Sequence, residues 1–134
     1  GPPSVSQVTA WLNDSSPQLR AAAIFGLSKN ETPSSRGLLL AAYRTETDVS
    51  VRRGICRAFW VQHMEQDNAV KKLLRLDPDR GCHALAAGKP DPNAQQFLVR
   101  RAARTPVEIT DRVGSTHLVF AAADGFVGLV GADL

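Results

Sequence analysis

The sequence predicts a mostly α protein: a short α-solenoid of about three stacked helix pairs with a small C-terminal β element. Three observations carry that expectation. A turn recurs, running acid, helix-capping residue, apolar residue, Arg: first Asp14-Ser15-Ser16-Pro17-Gln18-Leu19-Arg20, then Glu46-Thr47-Asp48-Val49-Ser50-Val51-Arg52. It returns in weaker form as Asp77-Pro78-Asp79-Arg80-Gly81-Cys82-His83, so that Leu19, Val51 and Cys82 stand at offsets of 32 and then 31 residues. Each turn is flanked by apolar residues at helical spacing. From Val107 onward the pattern changes to short runs of Val, Ile, Leu and Phe separated by turn residues.

Taken in order, residues 1–3 are a lead, and Gly1-Pro2 reads as the scar of tag removal by a viral protease. A natural leader or anchor upstream is therefore not excluded. Val5, Val8 and Leu12 recur at helical spacing over 4–12. Ser16 is an N-cap with Pro17 at the first helical position, where its missing N–H costs nothing. The second helix then runs to about Lys29, and Asn30-Glu31-Thr32-Pro33 breaks it. These elements make a first pair over about 4–30.

The second pair spans about 34–63. Ser34 or Ser35 caps a helix carrying Leu38, Leu39 and Leu40, and Asp48 caps another from Val49 to about His63. Superposing the pairs places Ala22 on Gly54 and Leu27 on Phe59, so small positions coincide as close helix approach would require. A third pair occupies about 65–88, with Val70, Leu73 and Leu74 apolar and the second helix starting after Asp79; Gly88 and Pro90 end it. Asp91-Pro92 opens an unpaired helix over 92–104. In the segment 107–134, strands are expected at Val107–Arg112, Thr116–Ala122 and Phe126–Val130, with Asp124-Gly125 as a hairpin turn.

A chain of 134 residues is long enough to bury roughly two thirds of its surface on folding. Its composition, 43% hydrophobic and 22% charged, is that of a folded soluble domain. No apolar run approaches the roughly 20 residues of a membrane span. The net charge of +3 permits an anionic partner without requiring one. The two cysteines, Cys56 and Cys82, are too few for a disulfide framework and too far apart for CxxC chemistry; Cys82, on a core-facing position, reads as a small hydrophobe. The compartment stays open, with the cytoplasm only slightly favoured.

The repeat cores Asp14…Leu19-Arg20, Glu46…Val51-Arg52 and Asp77…Cys82-His83 resemble HEAT repeats, in particular short bacterial ones, over about residues 4–104. The third repeat departs from the pattern, with His83 where Arg is expected. The resemblance implies a structural role for the turn and cap residues Asp14, Glu46, Asp48, Asp77 and Asp79. It implies the same for Arg20 and Arg52, whose second-helix guanidinium would bond to a turn acid of its own or a neighbouring repeat.

No catalytic or cofactor signature stands out: no Gly-x-Ser-x-Gly elbow, no phosphate-binding glycine loop and no His-Glu-x-x-His helix. His63, His83 and His117 lack ligand spacing, so neither a metal nor a cofactor is expected. Partner-binding candidates are Arg53 and Arg57, one turn apart and off the Val51, Ile55, Phe59 stripe, with Trp60 and Phe25 for apolar contact. Arg100, Arg101 and Arg104 form a second basic patch; a solvated face is the plain alternative for all of these cations. The function expected is a non-catalytic protein–protein interaction, scaffold or adaptor module, part of a larger protein, with an unidentified partner on a concave face of second helices, where the arginines would suit an acidic one. Alternatives are nucleic-acid backbone binding, as in HEAT-like DNA glycosylases, and a non-catalytic subunit resembling the phycobilin lyases. The near-uncharged C-terminal strands would also permit self-association through an uncovered edge.

Overall fold

Five polar side chains start the helices, and each does so by accepting backbone N–H groups left over at a first turn. The computed structural model describes residues 5–28, 32–90, 92–95, 107–110, 116–121 and 127–131. Within them the chain is mostly helical and repeat-like: α1 (Val5–Leu12), α2 (Pro17–Leu27), α3 (Pro33–Thr45), α4 (Val49–Val61), a 3-10 turn (Met64–Gln66), α5 (Asn68–Leu76) and α6 (Arg80–Ala86). Ser16 accepts from Leu19 N–H at 3.3 Å, Asp48 from Val51 N–H at 2.9 Å, and Asp79 from Cys82 N–H at 3.1 Å. Asp67 likewise caps α5 through Ala69 and Val70.

The start of α3 differs from the expectation that Ser34 or Ser35 caps it. Thr32 is the cap, accepting from Ser35 N–H at 3.2 Å, and Pro33 takes the first helical position. This is the Ser16-Pro17 arrangement again, so the dipeptide expected to break one helix begins the next. Helix α2 also stops at Leu27, two residues before Lys29.

Each first helix packs on the second helix of its own pair, α1 on α2, α3 on α4 and α5 on α6, while α4 lies between α2 and α6. One continuous core results. Leu27, Leu39, Ile55, Phe59 and Leu74 are essentially solvent-free and contiguous with Val8 at one end and Leu85 and Ala94 at the other. The Phe59 and Tyr43 rings meet at 5.6 Å between centroids. No described helix is long and apolar enough to cross a membrane.

Gly54 corrects one expectation. It aligns with the buried Ala22, yet a Cβ built on Gly54 meets nothing within 4 Å, so no close helix approach demands glycine there. Gly54→Ala is therefore expected to stabilise the protein by about 0.5–1 kcal/mol, the usual gain for removing an interior helical glycine. A thermal melt by circular dichroism checks it: Tm rises by a few degrees. Gly88 is different, because its φ of +70° just past α6 is a backbone conformation that favours glycine.

Beyond α6, residues 92–95 are helical, and the rest of the helix expected over 92–104 lies outside the described residues. Strands β1 (Val107–Thr110), β2 (Thr116–Ala121) and β3 (Val127–Gly131) pair antiparallel in the order β1-β2-β3. The β1–β2 register sets Val107 against Val119, and the β2–β3 register sets Val119 against Leu129.

Candidate functional site

The three turns build the same local structure. Each turn acid folds back on the backbone N–H two residues ahead: Asp14 on Ser16, Glu46 on Asp48 at 3.1 Å, Asp77 on Asp79 at 2.8 Å. The residue so presented then caps the second helix. This local rule orients an acid at the mouth of every turn, and in the second and third turns the arginine of the preceding repeat takes it.

Arg20 makes a two-pronged bond to Glu46, Nε to Oε2 and Nη2 to Oε1, both at 2.9 Å, and its Nη1 donates to the Asp14 carbonyl at 2.8 Å. Arg52 repeats the scheme one pair later: Nη2 donates to Asp77 Oδ2 at 2.5 Å, and Nη1 to the Glu46 and Tyr43 carbonyls. Each arginine thus holds its own turn by a carbonyl and the next turn by a carboxylate. His83, at the equivalent position of the third pair, bonds to the Arg75 carbonyl, at 3.0 Å, and to no carboxylate among the described residues.

Tyr43 is the centre of the second junction, and its part is not evident from spacing alone, although it is the only tyrosine in the chain. Its hydroxyl donates to Asp77 Oδ2, and the Arg52 guanidinium lies over its ring, 4.7 Å from the centroid. Burial and the hydrogen bond to Asp77 push the Tyr43 hydroxyl up to about 12. Burial alone would raise Asp77, but the hydrogen bonds from Tyr43, the Asp79 N–H and Arg52 outweigh it, and the carboxyl ends below its usual range. The hydrogen bond to Glu46 raises Arg20; Asp77 raises Arg52 against its burial. Gln62 adds a further tie between pairs, donating from Nε2 to the Leu27 carbonyl at the end of α2, at 2.6 Å.

The partner-binding candidates fall differently. Arg53 is an inter-repeat residue as well: its Nε donates to Asp79 at 2.8 Å, although its side chain keeps 47% of its exposure. Arg57 and Trp60 are half-buried, as is Phe25, which occupies in α2 the position of Arg57 in α4. At about 100° per residue, positions 53, 57 and 60 share an arc of about 60° on α4. Arg100, Arg101 and Arg104 lie outside the described residues. A cleft of about 410 Å³ opens instead between α3, the 3-10 turn and α5, lined among others by Arg36, Leu40, His63, Met64 and Asp67. Neither Arg53 nor Arg57 lines it.

The cysteines overturn the reading of Cys82 as an isolated small hydrophobe. Cys56 of α4 and Cys82 of α6 form a disulfide, with Cα atoms 5.4 Å apart and both residues fully buried. The repeat offset does not reveal the pairing, because it superposes Cys82 on Val51; the two cysteines meet only through the stacking of α6 on α4. Asp77 completes the one His/Cys/Asp/Glu cluster of metal-binding dimensions among the described residues. Its carboxylate already accepts from Arg52, Tyr43 and the Asp79 N–H, and the two sulfurs are bonded to each other, so the trio has no ligand atoms to offer a cation.

Compared with family models, with curated proteins and with solved structures, the chain has no significant match in any of the three.

Proposed function

We propose that the chain is a non-catalytic docking module that holds a protein partner along its row of second helices: a short solenoid of HEAT-like helix pairs, with the small C-terminal sheet in contact with α2. The observation that supports this reading is how its buried polar groups are used. Arg20, Arg52, Glu46, Asp77 and Tyr43 all bond to one another or to backbone across repeat junctions. Such groups fix a shape; none is poised beside a nucleophile or an open acid–base pair, as catalysis would need. A preformed surface of half-buried aromatic and cationic side chains suits protein recognition, where Trp, Phe and Arg dominate the binding energy.

The docking face in this reading is the α4 arc of Arg53, Arg57 and Trp60. Because Asp79 neutralises much of Arg53, the arc offers aromatic contact with modest positive charge, which favours an acidic protein over a nucleic-acid backbone. The test is affinity capture with wild type against Arg57→Ala and Trp60→Ala, each first checked by circular dichroism for native helix content. Loss of the same partner in both variants is the expected result. Retention of every partner would sink the α4 face. A labelled duplex that binds at physiological salt and is released by Arg57→Ala would instead establish the nucleic-acid alternative.

A further inference from the structure

We infer that the Cys56–Cys82 disulfide is a permanent structural crosslink that keeps the third helix pair on the stack, and that the chain matures where thiols are oxidised. This stands apart from the partner reading.

The third pair is thinly held. Helix α6 has seven residues and buries only Cys82 and Leu85, against six buried residues in each of α2 and α4. Its His83 replaces the arginine that would carry the ladder onward. What joins the third pair to α4, besides that small apolar face, is the Arg52–Asp77 pair and the half-exposed Arg53–Asp79 pair, both at the turn before α6, and, from within α6 itself, the disulfide. A covalent tie between residues 26 apart removes much of the freedom of the unfolded chain, and it acts at the junction where packing contributes least.

The placement also separates a crosslink from a switch. Both sulfurs are buried beneath the Arg52–Asp77 junction, so no thiolate can approach them in line while α6 is docked. In forming, the bond joins the two Sγ atoms and passes two electrons to a disulfide oxidant, whose own sulfur–sulfur bond breaks; its two sulfurs receive the two protons that Cys56 and Cys82 give up. Stable bonds of this kind belong to oxidising surroundings.

The experiment uses the full chain purified without reductant. Alkylation in denaturant, read by intact mass, should add no label before reduction and two labels after it. A phosphine reductant applied to the native protein should act slowly, and much faster once denaturant is present. The reduced chain should melt on the order of 10–20 °C below the oxidised one, with amide protection lost from α6 first. The Cys56→Ala, Cys82→Ala double variant should melt with the reduced chain and ignore the reductant; should it fail to fold, reduction of the folded wild type still decides. Two labels without reductant, a reduced chain that melts with the oxidised one, or thiols shielded by stoichiometric zinc would each overturn the inference.

Discussion

Asp77→Ala is expected to destabilise the protein by about 3–5 kcal/mol, the range for removing one member of a buried charge network. Its carboxylate is nearly solvent-free, and three donors converge on it: the Tyr43 hydroxyl, the Arg52 guanidinium and the Asp79 N–H. Alanine leaves the first two facing each other across a gap with no acceptor. It also releases the Asp79 backbone, and with it the cap of α6. Urea denaturation followed by circular dichroism measures the loss. Asp77→Asn should cost less, because it keeps an acceptor for Tyr43 and forfeits the charge. The Arg52→Ala, Asp77→Ala double variant should cost clearly less than the sum of the single ones, since the second change removes a charge the first has already stranded.

The same network sets the pH limits of the fold. The folded pKa of Asp77 lies below its unfolded value, so its contribution is present above about pH 4 and is lost as pH falls through the folded pKa. Tyr43 carries the opposite sign of shift: pushed up to about 12, it contributes fully below its ordinary pKa near 10. That stability is lost as pH rises toward 12, when the unfolded chain ionises and the folded one resists. The acid edge should move when Asp77 is replaced, and the alkaline edge should soften in Tyr43→Phe.

The parts of this structure legible in the sequence are those decided within one turn of backbone. Ser16-Pro17, Asp48 and Asp79 announce their helices because capping involves only the next three residues. Thr32-Pro33 follows the same chemistry, yet beside Asn30 and Glu31 it reads as the end of one helix more readily than the start of another. The offsets of 32 and 31 residues expose the repeat, but superposition conveys sequence equivalence and not distance. Gly54 aligns with a buried alanine and still faces open space. Cys56 and Cys82 meet because α4 and α6 stack, and no local pattern records it. Tyr43 escapes for a like reason: at the end of a first helix it looks like one more apolar position, and its role appears only when the next pair brings Asp77 under its hydroxyl. Arg53 shows the limit from the other side, since a cation off the apolar stripe looks free for a ligand until Asp79 comes within 2.8 Å.

Phe59→Ala is the other change expected to cost about 3–5 kcal/mol, and it tests whether the stack folds as one unit. Phe59 is fully buried on α4, the helix that touches α2, α3 and α6 together, so the cavity it leaves borders both junctions. Val8 on α1 is almost as buried but belongs to an end pair, whose neighbours can settle into the gap. Val8→Ala should therefore cost clearly less than Phe59→Ala. Native-state hydrogen exchange separates the two cases further. In a stack where each pair contacts mainly its neighbours, a defect in an end pair frays that end, whereas one in the central helix uncouples both sides. Phe59→Ala should lower protection from α2 through α6 alike, and Val8→Ala only in α1 and α2. Equal, molecule-wide losses from both would mean that the core behaves as a single globule, and that the repeats are a property of the sequence more than of its energetics.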